Sequence, residues 1–327
     1  MIELVTTDAA LVALRPLWTE LWQGAPDASP FQSPEWLLGW WRQFGTGRPL
    51  VAVLREQARL LGVLPLYILD EPPARKLLPI GVGITDYFEP LLAPDVAADA
   101  VAALLRAALA HARQCNVTEC ALPDLPPGAA LREVACAGWN GRVAAADPCP
   151  VLPLPAAIPS GKRRHIKLAQ NRAERIGGWS TEIATLASAP ALLEGLIALH
   201  TARWQDNGEA GVLADPRVLR FHRDSVGELV AAKLLRLQVL RFGQDIVAAN
   251  YALLDRSRRV LFYLSGYDAA HARESPGTLL LARMIEDGAA EGRRELHFLR
   301  GAESYKYAWG AVDRMNAVRH MWPSLPA

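Results

Sequence analysis

The strongest constraint in this chain is a run of three β-rich segments, Leu235 to Phe242, Ile246 to Leu254 and Arg259 to Gly266. Short turns join them, which predicts an antiparallel meander. Directly after it comes Ser275-Pro276-Gly277 and a helical pattern over Thr278 to Ala290, then a strand over Glu295 to Leu299 and a turn at Gly301 that opens another helix. Ser275 is suited to cap the helix, Pro276 to its first turn, and Gly277 to the close approach of a ligand to the backbone. A helix start of this kind presents free N–H groups and a positive dipole end to a phosphate. Many helices open on such a cap without binding anything, so the context decides.

Upstream of the meander, helical patterns over Gly161 to Ile176, Leu192 to Trp204 and Pro216 to Ala232 surround a strand near Thr181 to Ala184. The first half also alternates. Leu11, Leu14, Trp18, Leu21 and Trp22 recur at helical spacing, and Ser33-Pro34 opens a helix carrying Trp36, Leu37, Trp40, Trp41 and Phe44. Strand runs follow over Leu50 to Leu54 and Leu60 to Ile68, then a helix through Val101 and Ala108 and a strand from Thr118 to Leu122. Helices alternating with strands predict layered α/β units. The Pro- and Ala-rich stretch from Asp147 to Ser160 precedes an abruptly basic segment, so the domain boundary is placed there, with domains over 1–150 and 151–327.

Bulk properties narrow the function. A chain of 327 residues, 51% hydrophobic, has material for two cores. Its net charge of +1 offers no general field for nucleic acid, so DNA is not an expected partner. The apolar runs break before roughly 20 residues and the N-terminus has no basic leader pattern, so membrane insertion is not expected and the cytoplasm is the expected location. Cys115, Cys120, Cys136 and Cys149 lack metal-site spacing and read as reduced packing residues, and no metal is expected.

Several ordered motifs run through the second half. They are His200 with Arg203-Trp204, Phe221-His222-Arg223, Ala248-Ala249-Asn250-Tyr251, Ser265-Gly266-Tyr267-Asp268, Ser275-Pro276-Gly277, and Phe298-Leu299-Arg300-Gly301 with Glu303, Tyr305-Lys306 and Trp309. The first half adds Phe31, Ser33-Pro34-Glu35-Trp36, Trp40-Trp41, Leu64-Pro65-Leu66 and Asp86-Tyr87. In this order they resemble the CelD/BcsL-like acetyltransferase family, a FemAB-like branch of the GNAT superfamily.

The resemblance implies an α/β (layered α+β) fold of two tandem GNAT-like domains, each a mixed, mostly antiparallel sheet flanked by helices. The first is degenerate, the second carries the acyl-CoA site, and the acceptor lies in the cleft between them. It implies acyl transfer from acetyl-CoA or another acyl-CoA to an amine of a sugar or small metabolite, in polysaccharide or secondary-metabolite biosynthesis. Tyr263, Leu264 and Ser265 fall where GNAT folds offer backbone N–H groups to the thioester. Ser275, Gly277 and Thr278 fall at the pyrophosphate. Tyr305 falls where a tyrosine protonates the departing thiolate, with packing as its alternative role.

Other positions stay open. Lys306 is either a phosphate contact or an ion-pair partner of Glu303. His297 stands where the family usually has Asp, and is either a base for the incoming amine or a core residue. Asp86 and Tyr87 either orient the acceptor from across the cleft, or Asp86 only stabilises its own turn. His200, Arg203 and Trp204 share a helical face that either binds acceptor or packs. Lys162, Arg163, Arg164, His165, Lys167, Arg172 and Arg175 form a basic stretch suited to the cofactor's ribose phosphate, an acyl carrier protein or a nucleotide-linked substrate, or simply to water. Two further classes compete with acyl-CoA transfer: FemABX-like aminoacyl-tRNA-dependent peptidyl transfer, and a non-catalytic scaffold of polysaccharide assembly.

Overall fold

The computed structural model describes residues 1–324 except 98, 207 and 209. It divides into two units, Met1–Pro148 with Arg314–Ala327, and Cys149–Asp313. The first break lies between Pro148 and Cys149. The second departs from the expected 151–327, because the end of the chain belongs to unit 1.

Unit 1 opens with β1 (Ile2–Val5), α1 (Asp8–Ala13), α2 (Arg15–Gly24) and α3 (Pro34–Phe44). Then come β2 (Arg48–Glu56), β3 (Arg59–Glu71), β4 (Ala74–Pro79), β5 (Leu91–Leu92), α4 (Asp99–Gln114), β6 (Glu119–Leu125) and β7 (Trp139–Pro153), whose residues from Cys149 on belong to unit 2. Ser33 caps α3 as expected, its side chain accepting from the Trp36 amide at 3.2 Å, with Pro34 in the first turn. β1 to β4 pair antiparallel in sequence, and β6 joins β4 in parallel after the α4 crossover. The α4 face of Leu104, Leu105 and Ala108 closes on Leu50, Leu64 and Leu66, all buried. The tryptophans of α2 and α3 are buried, and their indole N–H groups find acceptors. Trp22 reaches the Ser29 carbonyl at 2.8 Å and Trp36 the Thr85 hydroxyl at 3.0 Å.

Unit 2 repeats the plan. It comprises α5 (Ser160–Arg175), β8 (Ser180–Ile183), α6 (Ala189–Asp206), α7 (Pro216–Ala231), β9 (Leu235–Phe242), β10 (Asp245–Leu254) and β11 (Arg259–Tyr267). After them come α8 (Pro276–Ala290), β12 (Glu295–His297) and the short α9 (Ser304–Tyr307). β8 to β11 pair antiparallel in sequence, and β12 joins β11 in parallel after the α8 crossover. In both units, then, an edge strand and helices precede an antiparallel meander, a crossover helix and a parallel strand. Each sheet is mostly antiparallel and flanked by helices.

The end strands are arranged less predictably. The last residues of β7 pair with β12, Val151 opposite His297, so the Pro- and Ala-rich stretch at the expected boundary is strand as far as Pro153. The final strand, β13 (Val312–Pro323), pairs antiparallel with β6 in unit 1. Polar residues interrupt its pattern, and its first four residues are exposed. Such a segment carries little period-2 signal.

Candidate active site

A β-bulge shapes the site. Across β10 and β11, Tyr251 faces Leu264 while Ala252 faces Phe262, leaving Tyr263 as the extra residue. Phe262 and Ser265 therefore point to the same face of the sheet with two residues between them. That face carries α8 and a cleft of about 340 Å³. Tyr263 turns to the opposite face instead, where its ring meets those of His222 and Tyr251.

Beside the bulge the parallel pair ends. β12 matches β11 only from Arg259 to Leu261, and its last strand residue is His297. Beyond Leu261, β11 has a paired strand on the β10 side alone among the described residues. α6 lies over this stretch, and His200 Nδ1 sits 3.0 Å from the Ser265 carbonyl oxygen. A carbonyl can only accept, so Nδ1 carries the proton, and burial pushes the imidazole below its ordinary value, which keeps the ring neutral. Gly266 makes the approach feasible. A Cβ there would stand 2.6 Å from the His200 amide nitrogen and 2.9 Å from the Leu199 carbonyl carbon. Gly266→Ala should therefore push α6 off the strand, and a lowered unfolding midpoint with an altered near-ultraviolet spectrum would show it.

The helix start forms the next wall. Ser275 precedes α8 in a left-handed conformation, φ 52° and ψ 54°, and its hydroxyl donates to the Ala272 carbonyl at 3.3 Å. This corrects the expectation of a side-chain cap, since a capping Ser needs extended backbone to aim its oxygen at the helix amides. The first turn of α8 is thus left without a side-chain cap, and Ser275, Gly277 and Thr278 all line the cleft. A Cβ on Gly277 would lie 3.3 Å from Tyr267 Cδ1, so a branched side chain must displace that ring or enter the cleft.

Basic groups complete the site. Lys162 of α5 donates to the Thr278 hydroxyl at 3.3 Å and lies 4.2 Å from the Trp309 ring centre. Burial holds its ammonium below the usual lysine range. His165 is depressed by burial and then by Lys162 and Arg172. Arg203 lies over the Tyr267 ring at 5.1 Å. Among the described lining residues none is Asp or Glu. Tyr305, 37% exposed, lines the same cleft with its ring edge-on to Phe298. Burial, followed by Glu303, raises its phenol above the ordinary value, against a smaller opposing effect of Arg203. Tyr305 is therefore protonated across the neutral range.

The expected site residues separate into groups. Ser265, Ser275, Gly277, Thr278, Arg203 and Tyr305 come together around the cleft. Tyr263 and Leu264 do not line it with their side chains. Lys306 is 2% exposed, and its ammonium donates to the carbonyls of Arg300 at 2.7 Å and Gly301 at 3.1 Å, with Glu303 at 2.8 Å. Of its two readings, the structure supports the ion pair. His297 is 2% exposed with Nε2 2.8 Å from the Glu295 carboxylate, away from the cleft lining. Trp204 packs on the loop at Gly211, whose Cβ position lies 2.7 Å from its ring. Asp86 and Tyr87 are buried in unit 1, where the Asp86 carbonyl accepts from Asn316 at 2.9 Å and Tyr87 packs edge-on to Phe31. Sequence reasoning assigned no role to Asn250, Phe262, Leu281 or Trp309 at the cleft. For Asn250 the signal was a polar residue inside the otherwise apolar run of β10.

The opposite face of the sheet yields a pH prediction. His222 is fully buried among Phe221, Tyr251 and Tyr263, and burial drives its pKa down to about 3. In the unfolded chain a histidine titrates near 6.5, so below that pH the unfolded state binds a proton that the folded state refuses. Stability is expected to fall as pH drops from about 6.5, losing about 2 kcal/mol by pH 5 through this group. Denaturant titrations at pH 7 and 5 on wild type and His222→Phe should show a smaller loss in the variant.

Among the described residues, no helix is long and apolar enough to cross a membrane, and no group of three or more His, Cys, Asp or Glu side chains is placed to hold a metal ion. No curated protein matches the chain. Solved structures do. FemX aligns with a TM-score of 0.67 at 10% identity, covering 93% of this chain and 95% of that one. A conserved protein of unknown function from Bacteroides thetaiotaomicron aligns with a TM-score of 0.66 at 12% identity, over 98% and 100% of the two chains. The C-terminal domain of a putative lysylphosphatidylglycerol synthetase from Agrobacterium fabrum aligns with a TM-score of 0.61 at 12% identity, over 95% and 92%. These likenesses establish the fold. Residues 160–307, which contain every residue lining the cleft except Trp309, match the model of the acetyltransferase (GNAT) domain.

Proposed function

We propose that the chain is an acyl-CoA-dependent N-acyltransferase of the CelD/BcsL-like branch, working in the cleft of unit 2 on an amine of a sugar or small metabolite. One observation carries the reading: the cleft joins an uncapped helix start, Lys162, His165 and Arg203, contains no described carboxylate, and borders the edge where β11 loses its parallel partner. Such a lining suits the phosphates of coenzyme A. Tyr305 supplies the proton to the departing thiolate, and the open edge of β11 orients the thioester. The equivalent crossover helix of unit 1, α4, has Asp99 in its first turn, which disfavours a phosphate there. This supports a single donor site.

Calorimetric titration with acetyl-CoA, together with thiol release in the presence of an amine panel, tests the reading. Micromolar binding and amine-dependent thiol release are expected. Gly277→Val, which crowds Tyr267 and the first turn of α8, should weaken CoA binding about tenfold while the protein stays folded. Unchanged affinity in a folded variant removes the helix start from the site.

A second reading, aminoacyl-tRNA-dependent transfer, draws on the likeness to FemX and on the six Lys and Arg residues that α5 carries against one Glu in a chain of net charge +1. The same face suits an acidic acyl carrier protein as donor. Failure of CoA to bind while aminoacyl-tRNA does would favour this second reading.

A further inference from the structure

Among the described residues of the cleft, Asn250 is the one whose side chain is both almost wholly buried and left without a satisfied donor. It is 2% exposed, and Nδ2 has no hydrogen-bond partner. Leaving such a group unpaired is costly, so its presence calls for a partner. The fold places it with care. On β10, Asn250 pairs with Ser265 of β11 on the cleft face, while Ala248 on that face packs below the start of α8 with Tyr267. Two residues of strand, roughly 6–7 Å, therefore separate Asn250 from the helix start. Around it the floor is apolar, with Phe262 and Leu281 lining the same cleft. Neither cross-strand neighbour bonds Nδ2, and Gln238 Oε1 is itself buried without a partner. The Ser265 carbonyl accepts from His200, and Asp287 takes the amide of Gln238, the other cross-strand neighbour.

We infer that Asn250 is a ligand-positioning residue whose Nδ2 donates to a carbonyl oxygen of the acylated arm of the donor, one step deeper in the cleft than the phosphates. The inference rests on the acyl-CoA reading and extends it. Two carbonyls share this chemistry: that of the thioester, and those of the amides along the arm. A donor at the first would hold the oxygen on which charge develops during transfer, and a donor at the second would fix the depth of the arm.

The test is calorimetric, on the full chain and on Asn250→Leu, with acetyl-CoA, S-ethyl-CoA, CoA and adenosine 3′,5′-bisphosphate. S-ethyl-CoA replaces the thioester carbonyl by a methylene, and the nucleotide lacks the arm. Loss of one neutral hydrogen bond should weaken acetyl-CoA binding about three- to tenfold. A loss confined to acetyl-CoA assigns the thioester oxygen. An equal loss for acetyl-CoA, S-ethyl-CoA and CoA, with nucleotide binding unchanged, assigns an amide of the arm. Unchanged affinities overturn the inference, as does an equal loss that includes the nucleotide. Should Asn250→Leu not fold, Asn250→Ala removes the donor without adding charge or bulk and should show the same selectivity. A wild-type protein that binds none of the three CoA species refutes the acyl-CoA reading and this inference with it, whereas wild-type binding with no arm-specific loss refutes this inference alone.

Discussion

Tyr305→Phe is expected to lower turnover by about one to three powers of ten, or about 1.4 to 4 kcal/mol of barrier, with CoA affinity and stability nearly unchanged. The ring packs on Phe298 and survives the substitution, while only the hydroxyl, protonated in this cleft-lining residue, is removed. The range is bounded from above by the leaving group. A thiol with a pKa near 8.5 departs tolerably without help, so general acid assistance contributes less than it would for an alkoxide. Comparison of kcat with the acetyl-CoA dissociation constant separates the roles. A lowered kcat at constant affinity marks the hydroxyl as proton donor, and an unchanged kcat leaves Tyr305 as a packing residue.

Lys306→Met should cost about 3–5 kcal/mol of stability, the larger effect of the two on folding. The ammonium gathers the carbonyls of Leu299, Arg300 and Gly301, and the chain reverses there through Leu299 at φ 59° and Gly301 at φ 107°. A methionine of similar length leaves these carbonyls facing an apolar side chain. Glu303→Gln is expected to cost less than about 1 kcal/mol, because its carboxylate is 56% exposed and its attraction is weakened by water. Urea unfolding measures both. A phosphate-binding lysine would behave in the opposite way, losing CoA affinity at constant stability.

These two adjacent residues illustrate what can be read along the chain. Their sequence neighbourhood resembles a family motif. Which of the two enters the cleft depended on where the loop from Leu299 to Glu303 folds back, a matter of long-range packing. The meander shows the converse. Its three runs, the helix that follows and the strand after it were legible to within a few residues, because local alternation and turn chemistry report directly on a half-buried sheet. The Ser275 cap was legible as a helix start but not in its geometry, since a serine at this position carries no local signal for the left-handed backbone it adopts.

By itself, then, the amino-acid sequence determined two α/β units, their order of elements, the helix start that borders the site and the basic character of α5. These follow from periodicity, capping residues and charge, all of which act within a few residues. Tertiary structure alone decided the rest. It carried β13 to β6 in unit 1, turned Tyr263 away from the cleft through a bulge, enclosed Lys306 in carbonyls, and left the Asn250 amide unpaired on the cleft floor. Each of these depends on which backbone groups of distant segments find partners, and hydrogen-bond satisfaction across such distances leaves no local trace in the order of residues.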